Sequence, residues 1–380
     1  MSLEGEVEAE LAAVREILLE VMGAEGEPLS GEEHFAGLAL RIFRLQCGAN
    51  AVYGAFVRGR GIDPEGVDDW RSIPPVPTAA FREFPLVTGS PGPDALVFRT
   101  SGTTGGRERR GEHHVADPSL YHASLLPPFR RALLPDGARL PVAALLAPPS
   151  LVPDSSLGHM VQVVMDRLAA PGGGWFVDAS GAIDEPAFLG LLEQATAAGT
   201  PLLLVGTAFA WVHWMDLMDA RGIRLSLPRG SRIMETGGFK GRSRSVPRDE
   251  LYLGLSERLG IPLAAIVNEY GMTELLSQFY EPVLSGEAPA EPGERYHVGP
   301  SWVRTRVLHP ETLEEVPPGQ VGLLCHVDLA NVRSVMAVLT SDLGVRVGRG
   351  FRVLGRAPGA EPRGCSLVME ELLAPRERRE

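Results

Sequence analysis

Residues 261–274 read "IPLAAIVNEYGMTE". An apolar run ends in an acid, an aromatic, a glycine, a threonine and a second acid. Similar short runs stand at 94–100 ("DALVFRT"), 140–149 ("LPVAALLAPP"), 172–179 ("GGGWFVDA"), 201–207 ("PLLLVGT") and 231–238 ("SRIMETGG"). Stretches with helical spacing lie between most of them, at 119–134, 157–168, 185–198, 208–221 and 247–259. Buried strands alternating with helices of this length predict crossover units and a mostly parallel sheet. Ligands then bind at the carboxyl ends of the strands. The polar residues of "NEYGMTE" fall at such an end.

Outside this α/β body the texture differs. Residues 5–22 and 33–58 show helical spacing, with Ser30 placed to cap the second helix. Residues 62–86 are rich in proline and read as an irregular connector. From about residue 299 the pattern alternates with a period near two, with a turn at Pro317–Gly319, which predicts antiparallel strands. The expected organisation is a large layered α/β body with a β-rich portion (1–345) and a reduced C-terminal subdomain (346–380).

Composition narrows the class. The chain has 380 residues, 44% hydrophobic and 22% charged, enough for a sizeable core. A net charge of -12 favours neither nucleic acid nor an anionic membrane. Three cysteines, with no CxxC pair, argue against a disulfide framework and fit a reducing, cytoplasmic setting. The N-terminus is acidic and amphipathic rather than a signal peptide, and no apolar run reaches membrane-spanning length.

Four stretches bear chemistry. "TSGTTGG" (Thr100, Ser101, Gly102, Thr103, Thr104, Gly105, Gly106) follows a strand and runs into Arg107, Arg109, Arg110, His113 and His114. Backbone N–H groups and hydroxyls in such a loop bind phosphate. It is neither a Walker A loop nor GxGxxG. In "NEYGMTE", Tyr270 can stack on a base, Thr273 can donate to phosphate and Glu274 can hold Mg²⁺. An ordinary helix start, with Thr273 as cap and Glu274 in the first turn, explains the same residues. Asp342 in "LTSDLG" is a ribose ligand or a turn residue. In "GRAPGAEPRGCS", Arg356 is a phosphate partner or a surface cation, and Cys365 a reactive thiol or a buried filler. Cys47 and Cys325 lie in core patterns.

Taken in order, "TSGTTGG", "ETGG", "NEYGMTE", "TSD" and "GR" resemble the motif series of the adenylate-forming superfamily. The chain most resembles its LuxE-type acyl-protein synthetases, from about Ile73 to Leu367. The resemblance implies the adenylate-forming fold, with ATP and Mg²⁺ as cofactors. A carboxylic acid, a fatty acid by family likeness, would become an acyl-adenylate and then pass to a thiol. Thr100–Gly106 would cradle the β- and γ-phosphates. Gly237, Gly238, Tyr270 and Gly271 would form the nucleotide site, Thr273 would meet the α-phosphate and Glu274 the metal. Asp342 would take the ribose, and Arg356 would lie beside ribose or phosphate. Cys365 would accept the acyl group, with Arg363 beside it favouring the thiolate. His159, Trp211 and His213 would line the acyl pocket, although the stretch holding the latter two also reads as a helix packed on the sheet. Implied partners are a reductase, a thioesterase, CoA or a carrier protein.

The chain departs from the superfamily pattern in three places. Arg107–Arg110 stand where a Pro-Lys pair is usual, no lysine follows Arg356, and "APGAEP" replaces an acidic hinge. Two rival readings remain. One is a ligase loading CoA or a carrier protein directly, with Cys365 structural. The other is a degenerate, non-catalytic nucleotide-binding protein.

Overall fold

In the computed structural model, residues 3–23, 29, 31–100, 110–237, 246–357, 365, 368, 369, 371 and 372 are described. The helices are α1 (Leu3–Gly23), α2 (Gly31–Ala49), α3 (Ala51–Gly59), α4 (Ala80–Glu83), α5 (Pro118–Leu133), α6 (Ser156–Leu168), α7 (Glu185–Ala198), α8 (Ala208–Ala220) and α9 (Arg248–Leu259). The strands are β1 (Val76–Pro77), β2 (Leu96–Arg99), β3 (Glu112–Val115), β4 (Pro141–Leu145), β5 (Ala170–Trp175), β6 (Leu203–Thr207), β7 (Arg232–Thr236), β8 (Ile266–Tyr270), β9 (Phe279–Tyr280), β10 (Val303–Leu308), β11 (Gly322–Asp328), β12 (Ala337–Val347) and β13 (Gly350–Arg356).

The apolar run at 94–100 becomes β2, which pairs antiparallel with β3 in a separate two-stranded sheet. The other five runs, at 140–149, 172–179, 201–207, 231–238 and 261–270, become β4, β5, β6, β7 and β8 of a six-stranded sheet, ordered β5-β4-β6-β7-β8-β9. Its first five strands are parallel, and β9 is antiparallel. Side chains along a strand alternate between faces. Ala143, Leu145, Leu204 and Ile233 therefore pack with α7, α8 and α9 on one face. Val142, Ala144, Val205 and Met234 pack with α5 and α6 on the other. The "GGG" run serves this sheet by close approach: a Cβ on Gly173 would lie 2.0 Å from the Val142 carbonyl oxygen.

The β-rich portion forms a second, five-stranded sheet, β1-β12-β11-β10 with β13 on β12. β12 runs through the expected 345/346 division, and its pairing with β13 places residues 350–356 in the same sheet. Two other expectations change. The helix read over 33–58 is two helices, because Asn50 is extended (φ -108°) and its Oδ1 accepts from the Tyr53 N–H at 3.1 Å, starting α3 afresh. Proline-rich 62–86 contributes β1, which pairs in parallel with β12, and α4. Ser30 lies outside the described residues.

A buried ion pair holds β8 to the following chain. Arg295 and Glu281 have fully buried side chains 3.0 Å apart. Arg295 also donates to the carbonyls of Ile266, Leu263 and Ala290, and stacks 4.8 Å over Tyr252. Removing one partner strands a buried charge. Arg295→Met is therefore expected to lower the unfolding free energy by about 3–5 kcal/mol, read from urea unfolding.

Candidate active site

β8 brings the central residues together. Tyr270 ends the strand, and its hydroxyl donates to Asp342 Oδ2 at 2.9 Å, bridging the two large sheets. Burial, with Asp342 beside it, holds the phenol well above its usual range, so it remains the donor. Phe279, His297, His326 and Phe351 surround its ring, with centroids 5.5–5.9 Å away. The Asp342 N–H donates to Thr340 Oγ1 at 3.0 Å. Arg356 faces Asp342 across the β12–β13 pair, with Nε 3.6 Å from Oδ1 and a side chain 72% exposed. Tyr270, Asp342 and Arg356, far apart in sequence, thus meet at one place.

Gly271 follows directly; a Cβ there would lie 2.3 Å from Glu269 Oε1, so a larger residue would displace that carboxyl. Thr273 and buried Glu274 come next, in a turn anchored through its backbone. Gly237 ends the neighbouring strand β7 with φ +77°, a conformation that suits glycine. Of the loop at 100–106 only Thr100 is described. Its N–H donates to the Gly111 carbonyl at 2.9 Å, and its Oγ1 accepts from the Gly111 N–H at 2.9 Å. Ser101, Gly102, Thr103, Thr104, Gly105, Gly106, Gly238 and Arg363 lie outside the described residues.

The cation cluster read after that loop is corrected at two positions. Arg110 is spent on protein groups, donating to the Thr100 carbonyl at 2.6 Å and to Asp154 Oδ2 at 2.7 Å. His113 is buried in β3, and burial pushes its imidazole down to about 4, so it is neutral.

The three acyl-pocket candidates do not meet. His159 lies on α6, stacked on His122 with centroids 5.2 Å apart and Nε2 atoms 2.9 Å apart. Burial, then His122, pushes His159 down to about 4. Trp211 is fully buried on α8, across the sheet among Leu145 and Leu204. His213, also on α8, is exposed. On the face shared with α5 and α6, Thr236 donates to Glu269, whose carboxyl burial pushes up to about 7. His122 and Glu269 were not singled out from the sequence. Only position marks them: Glu269 stands in register with Thr236 at the carboxyl ends of β7 and β8.

Cys365 is 2% exposed and packs with Leu308, Leu323, Cys325 and Leu339. Cys325 and Leu339 are register partners on one face of the five-stranded sheet. Thr340 and Asp342 flank Leu339 and Ser341 in alternation, so Asp342 turns to the opposite face, toward Tyr270. The sheet therefore stands between Cys365 and the Tyr270–Asp342 bridge. Val368, Met369 and Leu372 are buried in the main core, and Glu371 pairs at 2.9 Å with Arg60, which follows α3.

This two-sheet arrangement is the fold of adenylate-forming enzymes. A solved structure of 2-hydroxyisobutyryl-CoA ligase, in an open conformation with 2-HIB-AMP and CoA, superposes with a TM-score of 0.59. The likeness covers 87% of this chain and 76% of that one at 15% identity. The same ligase in its postadenylation state gives a TM-score of 0.58 over 86% and 67% of the two chains, at 14% identity. Within that fold, residues 9–374 match the acyl-protein synthetase family LuxE, and the chain belongs to it. Two relatives are long-chain-fatty-acid–luciferin-component ligases. The Vibrio harveyi protein is 25% identical over 198 residues, 50% of each chain. The Aliivibrio fischeri protein is 30% identical over 183 residues, 45% of this chain and 46% of that one. The matches thus span about half the length of these relatives. No helix among the described residues is long and apolar enough to cross a membrane.

Proposed function

We propose that the chain is an ATP-dependent acyl ligase that activates a carboxylic acid, a fatty acid by kinship, and passes the acyl group to a thiol. The observation that carries this reading is the Tyr270–Asp342 bridge, which brings the ribose and adenine candidates beside Thr273 and Glu274. A substrate carboxylate oxygen attacks the ATP α-phosphorus; that bond forms, the α–β bridging bond breaks and pyrophosphate leaves. A thiolate then attacks the acyl carbonyl and AMP leaves. In this reading Tyr270, Gly237 and Gly238 flank the adenine with Gly271 in the same nucleotide site, Asp342 takes the ribose hydroxyls, and Arg356 stands beside ribose or phosphate. Thr273 donates to the α-phosphate, and Thr100–Gly106 hold the outgoing phosphates. Glu274 offers one hard carboxylate in a backbone-anchored turn, which suits Mg²⁺, an ion that takes one or two carboxylates alongside phosphate and water oxygens. When bound it would neutralise phosphate charge. His159 faces the acyl group from α6.

The acceptor has two readings. Kinship favours Cys365, which the C-terminal segment must release before its thiol can reach an adenylate. The burial of Cys365 across the sheet favours CoA or a carrier-protein thiol, with Cys365 structural. A reductase or thioesterase would consume the acyl thioester, and a reducing cytoplasm would keep the thiol available.

The test is pyrophosphate release from ATP and Mg²⁺ across short, aromatic and long-chain carboxylic acids. Acid-dependent release is expected and names the substrate class. ATP binding without release under any acid would replace the reading with a non-catalytic one.

A further inference from the structure

The two halves of the nucleotide site stand on separate sheets. The stretch 100–106 leaves β2 and the chain returns as β3, in a two-stranded hairpin. Thr273 and Glu274 lie beyond β8 of the six-stranded sheet. Something must hold the two at a set distance, since both would touch one chain of phosphates. His113, in β3, reaches across: its Nδ1 lies 2.7 Å from the Thr273 carbonyl oxygen. That oxygen can only accept, so Nδ1 carries the proton. The imidazole is 1% exposed, and Phe81 of α4 meets it edge-on at 5.6 Å, fixing the ring.

The rest of the turn is held the same way, by side chains on its backbone. Asn331 Nδ2 donates to the Glu274 carbonyl at 2.8 Å. Asp328 Oδ2 accepts from the N–H groups of Leu276 and Ser277 at 3.1 and 2.9 Å, and Oδ1 accepts from Ser277 Oγ at 2.8 Å. Those two residues come from the five-stranded side. His113 is the tie from the phosphate-loop hairpin.

We propose that His113 is a positioning residue: its Nδ1–H locks the hairpin that carries the phosphate loop to the turn that carries Thr273 and Glu274. This rests on the nucleotide-site reading above. The ring touches no substrate; it sets the spacing at which both segments meet the same phosphates.

The test uses the full chain and two variants. His113→Phe keeps the ring against Phe81 and removes the donor. His113→Asn puts an amide N–H at the δ position. Hydrogen exchange of the peptide covering Thr273–Ser277 is measured together with acid-dependent pyrophosphate release. His113→Phe is expected to speed exchange in that peptide and to lower kcat/KM for ATP by about tenfold or more, because a buried carbonyl loses its partner. KM for the acid is expected to hold, and His113→Asn to recover most of both losses. Wild-type exchange and kinetics in His113→Phe would overturn the proposal; so would His113→Asn failing as badly as Phe, because a donor restored at the δ position would then bring nothing back. If His113→Phe does not fold, His113→Gln takes its place: its donor sits one bond too far, so the turn is expected to loosen, and a wild-type turn would overturn the proposal. If the wild type releases no pyrophosphate with any acid, the ligase reading fails, while the exchange contrast still decides the role of His113.

Discussion

Cys365→Ser is expected to leave acid-dependent pyrophosphate release near wild type and to abolish covalent acyl labelling of the chain. The two steps separate because the residues assigned to them are separate. Tyr270 and Asp342 meet on one face of the five-stranded sheet, and Cys365 packs on the other with Cys325 and Leu339. Serine is close in size to cysteine, so the apolar site tolerates the exchange at a cost of about 1–3 kcal/mol for an added hydroxyl. It is a far weaker nucleophile near neutral pH, because the hydroxyl does not ionise there. The measurement is radiolabelled acid, ATP and Mg²⁺ with the denatured protein counted afterwards. Labelling retained by the serine variant, but removed when CoA or a carrier protein competes, would shift the acceptor role away from Cys365.

The same geometry sets a condition on the transfer. Cys365 is 2% exposed, and the segment around it is held by Val368, Met369, Leu372 and the Arg60–Glu371 pair. A thiol packed there is shielded, so transfer through Cys365 would require this packing to open. The Arg60–Glu371 pair is partly exposed and contributes little by itself, so burial of Val368, Met369 and Leu372 contributes more.

Glu274→Gln is expected to lower acid-dependent pyrophosphate release by about a hundredfold or more, since the charge proposed to hold the metal would be lost where phosphate charge must be neutralised. The side chains are nearly equal in size, and the turn is anchored through backbone atoms by His113, Asn331 and Asp328. The urea midpoint of the variant, measured alongside, tells loss of the metal charge from loss of fold. Raising Mg²⁺ should recover part of the rate in the wild type after chelation, and much less in the variant. A variant with wild-type turnover at low Mg²⁺ would remove Glu274 from the metal role and leave it as a buried residue of the turn after β8.

The α/β body was legible because its signals are local. Apolar runs of strand length between helical stretches predict a parallel sheet whatever lies elsewhere, and the six-stranded sheet follows them. The break at Asn50 was hidden because the apolar period continues across it; only the Asn50–Tyr53 cap reveals two helices. Strand β3 was missed because four residues carry too little pattern, and pairing with β2 defines them.

Within the site, residue types and order along the chain named the Tyr270, Thr273, Glu274, Asp342 and Arg356 set without any coordinates. Which of these meet was decided by the packing of two sheets: a hydroxyl from β8 reaches a carboxylate on β12, 72 residues on. The same packing separated Trp211 and His213 from His159, since α8 and α6 cover opposite faces of one sheet. Sequence determined which chemical groups the chain possesses and the period of each element. Tertiary structure alone decided face and distance. A strand's alternation says that neighbours point oppositely, but not what waits on either side. That is why His113 read as one more cation by the loop, and only its burial against Phe81 and its bond to Thr273 make it a neutral tie.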